Sequence, residues 1–423
     1  MNKVYIIFAL AMILIGQEAF AVDVRKKPSL CEENLSQVIT PQMKRARQLY
    51  TALTGTPIPY CDDRIERMAI YLSAGRARDA VRVAIDDPDF YNIRVREMAA
   101  RICTFDNTPR TPVNDCIAMF VGAIRDGMDA RQLLTGNFFY RIDEKKAPEA
   151  NQSSLVNDIL RSNDHFNQID GLELSMYHVL KRVDGQKIID PTNRNNAIAA
   201  RDPAGVITTR AWMQAHAIAG TNRRMVEKSF EQFLCSPIRE WADNTMPDKY
   251  VGRDVTRTPG DDPNKYLVTC KGCHAPMDSM RSVFAHVDYT TNDGGYFRYD
   301  PTQVVEKMNR NTNETPQLTY LVEDDDFDNY AIQGANATRF GWRGATRGKG
   351  MNAFASMLAN SEQYNRCLAT HVFRTVCGRK PEPELKTLID TYASDFDQRE
   401  GHDIRVLFER IALRPECTGD GNQ

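Results

Sequence analysis

The amino-acid sequence predicts a mainly α-helical protein built from more than one packed unit. Of its 423 residues, 42% are hydrophobic and 26% charged, values ordinary for a globular protein. Apolar residues recur at helical spacing in several long stretches, whereas β-branched alternation is scarce. The length suffices for two or three packed units. The formal net charge of −2 gives no electrostatic reason to expect nucleic-acid binding.

The first 21 residues have the features of a cleaved export signal. They begin with Lys3, continue as an apolar run, and end in Ala19-Phe20-Ala21, a small-x-small cleavage site. We therefore expect cleavage after Ala21 and a mature protein that is periplasmic or otherwise exported from a bacterium. An uncleaved membrane anchor is the alternative, which the shortness of the apolar run disfavours. No other stretch predicts a transmembrane segment.

Three stretches near the N-terminus are expected to form helices. Residues 62–85, 88–102 and 114–136 all keep apolar residues at helical spacing. The third stretch offers Asn114 or Asp115 as its N-terminal cap, because short polar side chains satisfy the first free backbone N–H groups.

The remaining polar segments suggest a division into regions. Residues 142–170 and 246–266, rich in Asn, Asp, Pro and Lys, are the best linker candidates, and the glycines of DGGYFRYD (293–300) predict a short hairpin or turn. After the signal peptide (1–21), the expected units are an N-terminal helical domain (22–145), a middle helical region (146–245) and a C-terminal region (246–423).

The C-terminal region contains the most informative motif, Cys270-Lys271-Gly272-Cys273-His274. Covalent attachment of haem c needs two thiols to meet the two vinyl groups, with an imidazole beside them to bind the iron. Two intervening residues place both sulfurs on one side of a helical turn, and the histidine follows at once. About 0.004 such pentapeptides are expected by chance at this composition, so accident is a poor explanation.

Other chemistries for the motif are less well supported. A zinc site needs further ligands at matching spacing, and no second Cys-x-x-Cys exists. A thioredoxin-like dithiol needs a βαβ setting, which the helical context lacks. Both alternatives, and a structural disulfide, remain open beside one covalent haem c. The sequence also lacks the G-x-S-x-G, Walker and dinucleotide-binding motifs.

Eight further cysteines are expected to form disulfides, because an exported chain meets an oxidising compartment. Sequence alone does not give their connectivity, but we predict the local pairs Cys31–Cys61 and Cys103–Cys116. Free buried thiols are the alternative for some of them. The other four are Cys235, Cys367, Cys377 and Cys417.

Several segments resemble the planctomycete-type c cytochromes, a family of multidomain bacterial proteins. Residues 270–288 resemble their Cys-x-x-Cys-His-x-x-Met-Asp-Pro element, although Ser279 stands in place of proline. LLTGNFFYR (133–141) is similar to their Leu-Leu-x-Ser-Pro-x-Phe-Leu-Tyr-Arg signature, with Gly136-Asn137 where Ser-Pro is usual. Other similar segments, in the family's order, are 47–59, 205–216, 222–237 and 361–379. The resemblance implies a cytochrome c-like helical unit with covalent haem c, and names no substrate.

The second axial ligand of the iron has several candidates in the sequence. Met351 lies in GKGMNAFASML, which resembles the loop that delivers methionine sulfur to iron in small c cytochromes. Such a ligand opposite His274 would raise the reduction potential and favour electron transfer. His286, His371 or no protein ligand are the alternatives, and Met351 could simply fill an apolar gap. Three residues near the motif are expected to pack locally: Met277, Asp278 and Met280.

Three functions fit these expectations. The first is an exported c-type cytochrome-like protein that binds one haem through Cys270, Cys273 and His274 and passes single electrons to or from an unidentified partner. The second is a haem-dependent periplasmic enzyme, peroxidase-like or an oxidoreductase subunit, with an open sixth position on the iron. The third is a surface or binding protein with a structural haem. Whether the chain is itself an enzyme is left open.

Overall fold

The computed structural model describes residues 39–106, 108–218, 220–311 and 320–418, the side chains of Asp293 and Thr418 excepted. The predicted signal peptide lies outside these residues. The chain is mainly helical, with 55% helix and 9% strand, which confirms the predicted class. Among the described helices, none combines the length and the apolar character needed to cross a membrane.

The helices are short and numerous. Those of the first half are α1 (Pro41–Thr54), α2 (Asp63–Ser73), α3 (Ala77–Ile85), α4 (Arg96–Cys103), α5 (Asp115–Arg125), α6 (Gln132–Thr135), α7 (Asp164–Gly171), α8 (Met176–Val179) and α9 (Arg210–His216). Those of the second half are α10 (Arg223–Phe233), α11 (Pro263–Lys265), α12 (Lys271–Arg281), α13 (Gly334–Phe340), α14 (Gly350–Ala359), α15 (Glu362–Cys377), α16 (Lys386–Gln398), α17 (Ile404–Ala412) and α18 (Pro415–Thr418).

Within the described ranges, the strands form four separate antiparallel pairs of two strands each. They are β1 (Phe138–Ile142) with β2 (Leu180–Asp184), β3 (Lys187–Ile189) with β4 (Ala197–Ala199), β5 (Val287–Thr290) with β6 (Tyr296–Tyr299), and β7 (Asp326–Asp328) with β8 (Arg347–Lys349). The pairing of β5 with β6 confirms the hairpin predicted around residues 293–300.

Helix α5 is the clearest case of a sequence signal that the structure follows. The side chain of Asn114 accepts a hydrogen bond from the backbone N–H of Ile117 at 3.0 Å, which confirms one of the two cap candidates. Residues 115–124 are all buried, as expected for a helix that is apolar on every side. The helix packs against α4, α9 and β1.

Two predicted helices, 62–85 and 114–136, prove to be broken, the latter into α5 and α6, whereas the predicted helix 88–102 is continuous. The stretch 62–85 forms α2 and α3, separated by a turn at Gly75, whose φ of 71° places it in the left-handed region that glycine tolerates. In the stretch 88–102, a π-helical turn over Phe90–Val95 precedes α4. Apolar spacing alone does not separate one long helix from two consecutive ones, because both bury the same face.

One hydrophobic cluster runs from Met43 to Ala412 and includes buried residues of all three predicted regions. Early and late helices of the described chain meet in it, since α17 packs on α3 and the side chain of Arg82 donates to Glu409 at 2.9 Å. The predicted boundaries after residues 145 and 245 remain predictions.

The disulfides match the sequence expectation in part. Cys103–Cys116 forms as predicted, whereas Cys235–Cys367 and Cys377–Cys417 join distant segments that sequence spacing does not pair. Cys61 is disulfide-bonded, but the predicted pair Cys31–Cys61 involves a residue outside the described part of the chain. Among the described cysteines, the two free ones are Cys270 and Cys273.

Candidate haem-attachment site

The motif lies on a helical run that begins at α11 and continues to the end of α12. Asp262 caps this run by accepting a hydrogen bond from the N–H of Asn264 at 2.8 Å. A π-helical turn over Tyr266–Cys270 connects the two helices directly. Cys270 ends that turn, and Cys273 and His274 lie in the first turn of α12. π-Turns inserted into helices are frequent at functional sites.

Gly272 allows a neighbouring segment to pack directly against the motif. The N–H of Asp243 donates to the carbonyl of Gly272 at 2.9 Å, and Asn244 Nδ2 donates to the carbonyl of Val268 at 3.2 Å. A Cβ atom at position 272 would lie 2.5 Å from Asn244 Oδ1, which is closer than real contacts allow. Gly272, the second of the two residues between the cysteines, thus leaves room for the side chain of Asn244 in this position.

Both thiols of the motif are partly exposed and free of disulfides. Burial raises the pKa of the Cys273 thiol, and the nearby carboxylate of Glu227 acts in the same direction. Immediately before Cys270, the side chains of Leu267 and Val268 are 46% and 69% exposed. Solvent-exposed apolar side chains beside two free thiols mark a surface suited to an apolar group.

Burial is the main influence on the protonation of the His274 imidazole. Its pKa is lowered because burial disfavours the charged imidazolium, an effect that the carboxylate of Asp278 opposes. Its Nδ1 atom is buried and has no hydrogen-bond partner among the described residues. Burial therefore favours the neutral imidazole, the form that binds a metal ion.

Asp278 anchors α12 to segments far away in the sequence. Its side chain is fully buried and accepts hydrogen bonds from Arg223 Nε at 2.5 Å and Nη2 at 2.7 Å, and from the N–H of Gly252 at 2.9 Å. Burial opposes the charged carboxylate, yet Arg281 and Arg223 hold the pKa of Asp278 below its ordinary value. The sequence predicted that Asp278 packs locally, whereas its side chain binds residues that are distant in the sequence.

Met351 is buried at the start of α14, with its backbone N–H bonded to the carboxylate of Asp202. Helix α14 packs on α6 and on the turn that follows α12, where the rings of Phe284 and Phe354 lie 5.7 Å apart. Ten residues of helix, about 15 Å, separate His274 from Phe284. These contacts place α14 at the end of α12 remote from His274, and iron ligation by Met351 remains a prediction.

Each of the two alternative histidine ligands has one ring nitrogen within hydrogen-bonding distance of a backbone carbonyl. His286 Nδ1 lies 2.9 Å from the carbonyl of Gln303, and its Nε2 lies 3.9 Å from Asp325 Oδ1. His371 Nε2 lies 2.9 Å from the carbonyl of Gln232, and burial lowers the pKa of this imidazole to about 4.

A second Cys/His group that sequence reasoning missed lies just after the end of α10 and on α15. The side-chain ligand atoms of Cys235, Cys367 and His371 all lie within 4.8 Å of one another. The disulfide between the two cysteines occupies both sulfurs, so the oxidised protein offers a metal only an imidazole there. Cys367 and His371 are four residues apart on one helix face, the single signal that the sequence contained.

No family model, curated protein or solved structure matches the chain. The site must therefore be judged on its own residues. They fit a covalent haem c: two free thiols and a neutral imidazole share one helical turn, and exposed apolar side chains adjoin them. Sequence reasoning missed Leu267, Val268 and Arg223, because exposure and long-range pairing are set by packing.

Proposed function

We propose that this chain is an exported c-type cytochrome-like protein that holds one haem c and exchanges single electrons with a partner protein. Cys270 and Cys273 would hold the haem through thioether bonds, and His274 would be its proximal ligand. One observation carries the proposal. The two thiols of the motif stand outside every disulfide, beside an imidazole with an unpaired Nδ1, whereas the other described cysteines are disulfide-bonded.

The surrounding residues would hold this site in place. Gly272 lets residues 243–244 brace the motif, and the buried pair of Arg223 and Asp278 fixes α12 against α10. Bound haem supplies one-electron chemistry by cycling between ferric and ferrous iron. The resemblance to planctomycete-type c cytochromes and the expected export signal support the same proposal, since haem c is attached outside the bacterial cytoplasm.

A pyridine haemochrome assay tests this proposal on protein produced with a haem-attachment system. We expect covalent haem in the wild-type protein and its loss in Cys270→Ala and Cys273→Ala. The double variant Cys103→Ala/Cys116→Ala, which removes two cysteines from a disulfide elsewhere, should keep the haem. A wild-type protein that leaves this host without haem would refute the proposal.

A haem-dependent enzyme is the second candidate, and the position of Met351 favours it. If α14 stays at the far end of α12, Met351 does not fill the sixth position of the iron, and a small molecule has access. A high-spin ferric spectrum with peroxide turnover would support the enzyme. The long-wavelength charge-transfer band of a methionine-ligated ferric haem, lost in Met351→Ala, would support the electron carrier.

A further inference from the structure

Five buried nitrogen atoms without hydrogen-bond partners among the described residues belong to three residues, two of which lie on one face of α12. They are Nε, Nη1 and Nη2 of Arg281, Nη1 of Arg257 and Nδ1 of His274. His274 and Arg281 are seven residues apart and share a helix face, about 10 Å apart along the axis. Since buried polar groups are almost always paired, this cluster points to a group that supplies acceptor oxygens.

Arg281 is the centre of the cluster. The residue is fully buried, and burial lowers the pKa of its guanidinium. The nearest carboxylate oxygen, Asp278 Oδ1, lies 4.0 Å from its Nε, beyond hydrogen-bonding distance. Asp278 cannot turn toward Arg281, because Arg223 and the N–H of Gly252 already hold both of its oxygens.

Arg257 extends the cluster toward the cysteines. Its guanidinium lies over the ring of Tyr266, 4.7 Å from the centroid, and Tyr266 begins the π-turn that leads to Cys270. Nη2 of Arg257 donates to the carbonyls of Asp248 and Val251 at 3.2 and 3.4 Å, while Nη1 is left unpaired.

The neighbouring carboxylates do not satisfy the unpaired N–H groups of the cluster. Asp278 and Asp254 both pair with Arg223. Arg257 lies 3.7 Å from the carboxylate of Asp248. The missing partner therefore has to bring good acceptors, and carboxylates are the acceptors that best match a planar guanidinium.

We propose that Arg281 and Arg257 receive the carboxylate groups of the haem propionates. This inference rests on the proposed function, since the same ligand would be held by Cys270, Cys273 and His274. The unpaired N–H groups of the two arginines are the reason for assigning them to the haem.

The test uses haem-loaded protein and reads the propionates directly. Arg281→Gln and Arg257→Gln should shift the propionate bending band in the resonance Raman spectrum and lower the midpoint potential, because each removes a positive charge beside the haem. Arg281→Lys should restore part of both effects. Arg298→Gln, which changes a half-exposed arginine of the same region, should change neither. If Arg281→Gln does not fold, Arg257→Gln alone tests the proposal, because the side chain of Arg257 is 25% exposed and its replacement should be tolerated.

Three outcomes would overturn the assignment to haem. If Arg281 only positions Asp278, Arg281→Gln lowers Tm equally in haem-loaded protein and in haem-free Cys270→Ala/Cys273→Ala protein, and the Raman band stays unmoved. If the site takes a free acid, succinate raises the Tm of the haem-free protein and Arg281→Gln abolishes that rise. A wild-type protein that neither carries haem nor responds to succinate refutes both proposals, whereas haem with an unmoved propionate band refutes this inference alone.

Discussion

Arg223 and Asp278 form a two-pronged ion pair across the interface between α10 and α12, with N–O distances of 2.5 and 2.7 Å. The Asp278 side chain is fully buried and that of Arg223 is 14% exposed. The pair joins the first residue of α10 to the helix that carries the cysteine motif. The motif is thereby tied to a distant part of the chain through a buried pair of charges.

Replacing one partner of this pair should destabilise the protein strongly. Arg223→Met leaves the buried carboxylate of Asp278 without its partner, and loss of about 3–5 kcal/mol in the free energy of unfolding is expected. Denaturant unfolding measures it. Arg298→Gln, at an arginine whose side chain is 45% exposed, should change the free energy of unfolding by less than about 0.5 kcal/mol. Equal effects at the two positions would contradict the assigned role of the pair.

Gly272→Ala should disturb the motif through a steric clash with Asn244. The added Cβ would lie 2.5 Å from Asn244 Oδ1, and because the Asn244 side chain is exposed and can move, the cost should be at the low end for overpacking, about 1 kcal/mol. Thermal unfolding should show a lower Tm, and the yield of attached haem should fall. Adding Asn244→Gly should restore both, because it removes the clashing side chain.

The matched control for this substitution is Gly171→Ala on α7. A Cβ atom there meets nothing within 4 Å, so no loss of stability is expected. If Asn244→Gly fails to rescue Gly272→Ala, the clash with Asn244 is not the cause.

Stability should fall with acid because His165 is buried as a neutral ring. Its Nε2 accepts a hydrogen bond from the N–H of Ile142 at 2.9 Å, and burial lowers its pKa to about 4. The unfolded chain, with a histidine pKa of about 6.5, takes up the proton first. The stabilisation is therefore complete above pH 6.5 and is lost as the pH falls toward 4, by about 3 kcal/mol for this group.

His165→Gln isolates this contribution in denaturant unfolding at several pH values. The variant keeps an acceptor for Ile142 but does not titrate, so its stability should depend less steeply on pH between 6.5 and 4 than that of the wild-type protein. His178→Gln, at an exposed histidine, is the control. Parallel curves for wild type and His165→Gln would rule out the buried neutral ring as the source.

The long-range disulfide should contribute more stability than the local one. Cys235–Cys367 closes a separation of 132 residues and Cys103–Cys116 one of 13. Loop-closure entropy in the unfolded chain gives about 5 and about 3 kcal/mol for the two bonds. Paired alanine variants compared by denaturant unfolding measure the difference, and a larger loss from the local pair would contradict this order.

The sequence by itself determined the features that depend on neighbouring residues. Helical spacing predicted the helical class, Asn114 was a correct cap candidate, and Cys103 and Cys116 pair within one local loop. The spacing of Cys270, Cys273 and His274 likewise placed them in one helical turn. Such features are readable because a residue three or four positions away is a neighbour in any helix.

Only the tertiary structure decided which distant segments meet. It broke the predicted helix 62–85 at Gly75, paired Arg223 with Asp278, and left Leu267 exposed beside the motif. It also placed Met351 with Asp202 at the other end of α12 from His274. Local periodicity predicts which face of a helix is buried. Which other segment covers that face depends on packing among segments that are far apart in the sequence.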